Sequence, residues 1–406
     1  MTFQLSSLNA VDYLCKQGLC SQDKVEEAKV DLKPAKNFNL LLSWVDGYKI
    51  LVKQERRDRE GKTAGEFFSE WRVRDFIDRF SGNSSELGAI RLLLSEVLHF
   101  NNEDSILVFK YLTDYTDLSE FHAKVNFFPV AIAMEIGTNL AKIHRATFDR
   151  AEYQDFFRSK KEIGEASLNP ILSLGLDRIE PEIFGVIPTD GIKFLTLYQR
   201  YDSLSKAISE LVASSQPCCL THNDLKLNNI LLHRDWEDIL AQSSRANQSK
   251  SSNDSCIRLI DWERSNWGDP AFDLGTLIAS YLQIWLGSLV ISKTISIDES
   301  LRMATIPLDL LQPSLAGLTR SYFAAFSEII DRKPDFLMRV VQFAGFGLIG
   351  QIQAMLQHQK SFGNTGICML QVAKSLLTRP QQSIDTIFGA TESEIAHHNQ
   401  LAVQVN

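Results

Sequence analysis

Between residues 38 and 54 the chain reads FNLLLSWVDGYKILVKQ, two apolar, β-prone runs on either side of Asp46-Gly47. That dipeptide favours the positive φ angles of a two-residue hairpin turn, so the pattern predicts two antiparallel strands. A charged loop follows, then TAGEFFSEWRVRDFI over residues 63–77. Thr63 with Glu66 three residues later is a capping-box signature, and Phe67, Glu70, Arg74 and Ile77 share one face of the helix it would open. Residues 95–112, SEVLHFNNEDSILVFKYL, predict a second strand pair joined around Asn101 to Asp104. From Phe127 onward the apolar spacing turns helical, as in PVAIAMEIGTNLAKIH. The predicted class is α+β: a small antiparallel sheet with one helix, a short connector, and a larger, mostly helical body. The lobe boundary falls at residues 112–117. This gives an N-terminal lobe over 1–112, with a helical extension at its start, and a C-terminal lobe over 113–390.

Residues 234–255 are polar and rich in Ser and Asn, between the strand-like runs NNILLH and IRLIDW. They predict an extended surface loop inserted in the C-terminal lobe. Residues 391–406 predict a polar, frayed tail. At 406 residues the chain exceeds the usual limit of one hydrophobic core, and 44% hydrophobic with 23% charged residues is a globular composition. The net charge of -8 argues against nucleic acid as the main partner, since such surfaces need clustered Lys and Arg. The six cysteines form no C-x-x-C pair and have no His cluster beside them, so zinc is not expected and a reduced, cytoplasmic chain is. The start, MTFQLSSLNAVDYL, has no basic region followed by an apolar run, hence no secretory signal is expected. The most apolar stretches, 277–291 and 336–356, are broken by Gln283 and by Arg339, Gln342 and Gln351, and neither reads as a membrane span.

The chemistry is concentrated in CLTHNDLKLNNILL, residues 219–232, and IRLIDWERSNWGDPAFDLG, residues 257–275. Phosphoryl transfer needs a carboxylate to orient the attacking hydroxyl and accept its proton, and oxygen ligands for magnesium on the nucleotide phosphates. His222, Asp224 and Asn229 have the H-x-D-x-x-x-x-N spacing of a catalytic loop, and Asp261 ends an apolar run that would deliver its carboxylate as a strand ends. An Asp for the hydroxyl and an Asn-Asp pair for the metal result. Loop capping would explain Asp224 and Asn229 alone, but not the second acidic motif. The literal G-x-G-x-x-G at 345–350 follows a helical pattern, so close helix packing accounts for it better than a dinucleotide. His144 reads as a packing residue, and the aromatic stretch SYLQIWL at 280–286 as core.

These two motifs resemble the aminoglycoside phosphotransferase and choline kinase family, distant relatives of protein kinases. The resemblance spans roughly residues 30–360 and implies a bilobal, protein-kinase-like fold with ATP or GTP as co-substrate and Mg2+ as cofactor. It implies Asp224 as catalytic base, Asn229 and Asp261 as magnesium ligands, and Glu263 as an acidic position that helps with a second metal. His222 would brace the loop, Asp273 would hold the loop's backbone from below, and Lys226 would neutralise charge on the transferred phosphate. In the first lobe Lys53 matches the phosphate-binding lysine and Glu70 its helical partner, with Lys110, Tyr111 and Leu112 in the hinge that reads the base. The plainer readings are an outward strand lysine for Lys53, a solvated residue for Glu70 and a cap for Glu66. One departure stands out. No glycine occurs between Leu19 and Asp46, and Lys33-Pro34-Ala35-Lys36-Asn37 takes the place of the Gly-rich phosphate loop.

Only twelve positions separate Asp261 from Asp273 and there is no A-P-E signature, which favours small acceptors over a regulated protein kinase. Asp298, Glu299, Asp309 and Glu328 would suit an amine-bearing alcohol, or are plain surface charge. Three readings remain: a small-molecule kinase for an aminoglycoside-, choline- or sugar-like hydroxyl; a kinase of Ser/Thr hydroxyls in a precursor peptide during lanthipeptide-type maturation; and a nucleotide-binding pseudokinase.

Overall fold

The computed structural model describes residues 3–21, 27–158, 189–246, 255–290 and 295–396. The strands are β1 (Lys29–Lys33), β2 (Phe38–Ser43), β3 (Lys49–Gln54), β4 (Val97–Asn101), β5 (Ile106–Lys110), β6 (Tyr115–Asp117), β7 (Cys219–Thr221), β8 (Ile230–His233), β9 (Ile257–Leu259) and β10 (Asn266–Gly268). The chain divides into two compact units: Met1–Asp117 with Phe156–Glu165 and Ile230–Asn266, and Leu118–Asp155 with Ala166–Asn229 and Trp267–Asn406.

The first unit is built on an antiparallel sheet of order β1-β2-β3-β5-β4. Alternation sorts its side chains. Leu40, Leu42, Ile50, Val52, Ile106 and Val108 face one way and pack against Ala10, Val11, Tyr13 and Leu14 of helix α1 (Ala10–Lys16), the predicted N-terminal extension. Leu51, Leu107 and Phe109 face the other way, against Phe67 and Trp71 of helix α2 (Glu66–Phe80). Lys53 has the parity of Leu51, and this carries it to the α2 face.

The predicted hairpin forms between β2 and β3, with Ser43 opposite Lys49. Its turn differs from the two-residue expectation. Trp44 N–H donates to Tyr48 O and Gly47 N–H to Trp44 O, both at 3.0 Å, enclosing three residues. Gly47 alone in the turn takes a positive φ, +84°. Asp46 has no positive φ, and its carboxylate accepts Tyr48 N–H at 3.0 Å. The β4–β5 pair forms as predicted, with Asn101 opposite Ile106.

Three further expectations are corrected in this unit. Helix α2 begins at Glu66 after Gly65 in a left-handed conformation, with no side-chain cap from Thr63. The carboxylate of Glu55 does that work instead, accepting Glu66 N–H at 3.0 Å and Phe67 N–H at 3.3 Å. The expected extended loop over 234–255 contains a helix, Trp236–Ala246, after β8, and its residues 247–254 lie outside the described residues. Leu231 pairs with Arg258 and Thr116 with Leu232, so β6, β8 and β9 form a small antiparallel sheet. Cys15 and Cys20 are joined as a disulfide at the end of α1, against the expectation of a fully reduced chain.

The second unit is mostly helical. The helix Val130–Thr147 packs along Leu308–Ala325, and Pro270–Gly287 along Phe336–Gln359. The G-x-G-x-x-G lies within Phe336–Gln359, and its first two glycines are packing positions while Gly350 borders open space. A Cβ on Gly347 would come within 2.8 Å of Ala279, and one on Gly345 within 2.8 Å of Ala373 O. Tyr281, Leu282, Trp285 and Leu286 are buried core. Of the expected frayed tail over 391–406, the described part holds a helix, Glu392–Ala396, whose Ile395 is buried, and residues 397–406 lie outside the described residues. No described helix is long and apolar enough to cross a membrane.

Candidate functional site

In the first unit the site is a charge cluster. Lys53 Nζ, carried on β3, is 2.5 Å from Asp261 Oδ1. Asp261 follows β9 in the left-handed region, φ 59°, a conformation that Asp tolerates better than most residues. Burial would lower the Lys53 pKa, but Asp261, Glu70 and Glu263 together hold it above its usual value. Glu70, expected as the partner of Lys53, is 1% exposed on α2 and acts on it through space. The Glu70 carboxylate lies 3.7 Å from Arg74 of the same helix. Glu263 is pushed up to about 7 by burial and by Glu66, Asp261 and Glu70, against the pull of Lys53. Glu66, read as a cap, is instead the partner of Lys36 Nζ and of Asn37 Nδ2, the latter at 3.3 Å.

At the expected hinge, Lys110 ends β5 and pairs with Glu96 at 3.6 Å. Tyr111 N–H donates to Lys49 O at 3.0 Å, and the Lys49 ammonium lies 5.9 Å from the Tyr111 ring centroid. Leu112 is half-buried just beyond.

In the second unit the site is a braced loop. Asp224 accepts Lys226 Nζ on both oxygens, at 3.0 and 3.2 Å. Asn229 Nδ2 donates to Asp224 O at 2.9 Å and to Asp224 Oδ2 at 3.3 Å. Behind the loop Asp273, 0% exposed, accepts His222 N–H at 2.6 Å and Asn223 N–H at 2.8 Å. Asn223 is left-handed, φ 61°. Its side chain accepts from Thr221 Oγ1 at 3.0 Å. His222 is buried, and its Nδ1 accepts Asp224 N–H at 3.3 Å.

His144, read as packing, is buried with ring nitrogens 2.9 Å from Tyr322 Oη and 3.3 Å from Asp273 Oδ2. An ionised carboxylate only accepts, so His144 Nε2–H donates to Asp273 and Tyr322 O–H to Nδ1. The sequence offered only its end position in a helical pattern. Of the acids proposed for an amine-bearing acceptor, Glu299 closes a capping box with Ser296 and Glu328 pairs with Arg332 at 3.3 Å. Asp309 sits in the first turn of Leu308–Ala325.

Residues 126–283, which contain the braced loop, match the family model of choline/ethanolamine kinases. None of the curated proteins matches the chain. Among solved structures, an ethanolamine kinase of Plasmodium vivax has 15% identity and a TM-score of 0.52, over 91% of this chain and 90% of that one. A choline/ethanolamine kinase family protein of Mesorhizobium loti has 14% identity and a TM-score of 0.44, over 93% and 99%. The ADP-bound aminoglycoside phosphotransferase APH(2'')-Ib has 14% identity and a TM-score of 0.43, over 90% and 99%. At such identity the first of these shows the fold. The chain thus has a protein-kinase-like fold and, over residues 126–283, the sequence pattern of the choline/ethanolamine kinases.

Proposed function

We propose that this chain is a magnesium-dependent phosphotransferase that moves the terminal phosphate of ATP or GTP onto a hydroxyl of a choline-, aminoglycoside- or sugar-like small molecule. The observation that carries the reading is the loop of Asp224, whose carboxylate is fixed by Lys226 and Asn229 while Asp273 holds the loop's amides. A carboxylate so placed orients a hydroxyl and takes its proton as the bond to phosphorus forms. Lys226 offsets charge on the phosphoryl oxygens. In the first unit Lys53 is the fixed cation for the nucleotide phosphates, and the backbone of 110–112 lies where the base is read.

Asn229, Asp261 and Glu263 fit magnesium by donor type, since all offer hard oxygens. Asn229 spends its amide hydrogens on Asp224, which leaves Oδ1 as the group for a cation. Among the described residues no group of three or more His, Cys, Asp or Glu is arranged to hold a metal. When bound, magnesium neutralises charge on the transferring phosphate.

The match to choline/ethanolamine kinases favours a small alcohol, and nothing favours the peptide acceptor. The pseudokinase reading keeps one observation, the glycine-free turn at 33–37. The test is transfer from γ-labelled ATP or GTP, with magnesium, to pooled choline, ethanolamine, aminoglycosides and sugars. Transfer that falls ~10²- to 10⁴-fold in Asp224→Ala supports the assignment. Nucleotide binding that needs Lys53, with no transfer to any acceptor, selects the pseudokinase.

A further inference from the structure

The turn that joins β1 to β2 lies just beyond the row Lys33, Asn39, Lys53 of the sheet, so it sits beside the lysine assigned to phosphate. One common amide cradle for phosphate pairs neighbouring residues of opposite backbone hand. No residue of 33–37 has a positive φ, and the turn contains no glycine. Its backbone therefore lacks the right-handed/left-handed pair of that cradle.

Its side chains are arranged instead. Asn37 is buried, accepts Arg56 N–H at 3.3 Å and donates to Glu66 Oε2, which ties the turn to the start of α2. Lys36 Nζ is ion-paired with the other Glu66 oxygen. Lys36 follows Lys33 by three residues, and Lys33 lies in one row of the sheet with Asn39 and Lys53, so the Lys36–Glu66 pair stands at the end of the sheet that carries Lys53. The Lys36 side chain is 63% exposed, which leaves it room to change partner.

We infer that Lys36 is a phosphate-binding residue of the nucleotide site, replacing the missing amide cradle with a full positive charge, and that Glu66 holds it until a triphosphate takes it over. This rests on the nucleotide-binding reading above. Such a contact has consequences an amide cradle lacks: it is lost with one side chain, it competes with a carboxylate, and its strength falls with salt.

The experiment compares the binding of magnesium-ATP and of adenosine, which has no phosphate, to the full chain. Lys36→Met should raise the Kd for ATP about tenfold, equivalent to ~1.4 kcal/mol, and leave adenosine unchanged. Glu66→Gln should tighten ATP several-fold, and that gain should vanish in the Lys36→Met background. Unchanged ATP affinity in Lys36→Met overturns the inference, as does a Glu66→Gln gain that persists without Lys36. Should ATP affinity depend on Lys53 but not on Lys36, only the inference falls. If wild type binds neither ligand, the nucleotide reading falls with it.

Discussion

In the first unit, Lys53, Asp261, Glu70, Glu263 and Glu66 constrain one another by charge, and Glu263 is pushed up to about 7 by burial and by its acidic neighbours. In the second unit, Asp224 is placed by a loop whose amides converge on one buried carboxylate, Asp273. The difference teaches that the same chain uses two kinds of support. A charge cluster can change partners when an anion or cation arrives, because no single pair sets its geometry. Amide hydrogen bonds to a buried acid are local and short, and they hold a loop in one arrangement.

The sharpest way to break this contrast is to remove one carboxylate from each region. Asp273→Ala strips the acceptor from two backbone amides and from His144, all in a dry interior, and should cost ~3–5 kcal/mol. Asp261→Asn removes a carboxylate that is 35% exposed, and Glu70 and Glu263 remain to compensate Lys53, so the cost should stay below ~1 kcal/mol. Urea unfolding of both variants checks the pair. Equal losses would mean that the two regions are supported alike.

The regions should also answer pH with opposite signs. His122, buried in the second unit with Nδ1 2.7 Å from Phe127 O, is lowered from 6.5 to about 4, chiefly by burial. Between those values the unfolded chain binds the proton and the folded one does not, so stability falls as pH drops from 6.5 towards 4, by up to ~3 kcal/mol. Glu263 runs the other way. Its folded value of about 7 lies above the ordinary 4.5, so the folded chain holds the proton across that window and stability falls as pH rises through it. The charged groups facing it are Glu66, Glu70 and Asp261, with Lys53 opposing. Melting temperatures from pH 4 to 7.5, without nucleotide or added metal, should show the acid-side loss flattened in His122→Phe and the other slope flattened in Glu263→Gln. Parallel profiles for both variants and wild type would remove the electrostatic half of the comparison.

How much of this was legible in the sequence follows the same division. The loop of His222, Asp224 and Asn229 was readable because its members lie within eight residues and their spacing is their geometry. The strands were readable from alternation, and the packing glycines from the helical pattern around them. Lys53, Glu70, Asp261 and Glu263 were each singled out, but their pairings were not: no motif spacing says that Lys53 meets Asp261, or that Lys36 meets Glu66, across the sheet and α2. The helix Trp236–Ala246 was hidden by its serines, although Trp236, Ile239 and Leu240 have helical spacing and Glu237 and Asp238 suit a first turn. The Cys15–Cys20 link likewise depends on how the chain turns after α1.

Glu55 sharpens the comparison at its smallest scale, because it applies the second unit's kind of support within the first. It is buried two residues beyond Lys53, takes two amides of α2 and accepts Ser105 Oγ at 2.6 Å. Strand β3 thereby fixes the start of the helix that carries Glu70. Glu55→Gln keeps the shape but loses the charge facing the helix N-terminus and puts an amide among donors, so unfolding should be easier by ~1–2 kcal/mol. If α2 is set by that cap, nucleotide affinity should weaken together with stability. Were affinity to stay at the wild-type level while stability falls, the charges around Lys53 would position α2 by themselves, and the cluster would need no backbone anchor.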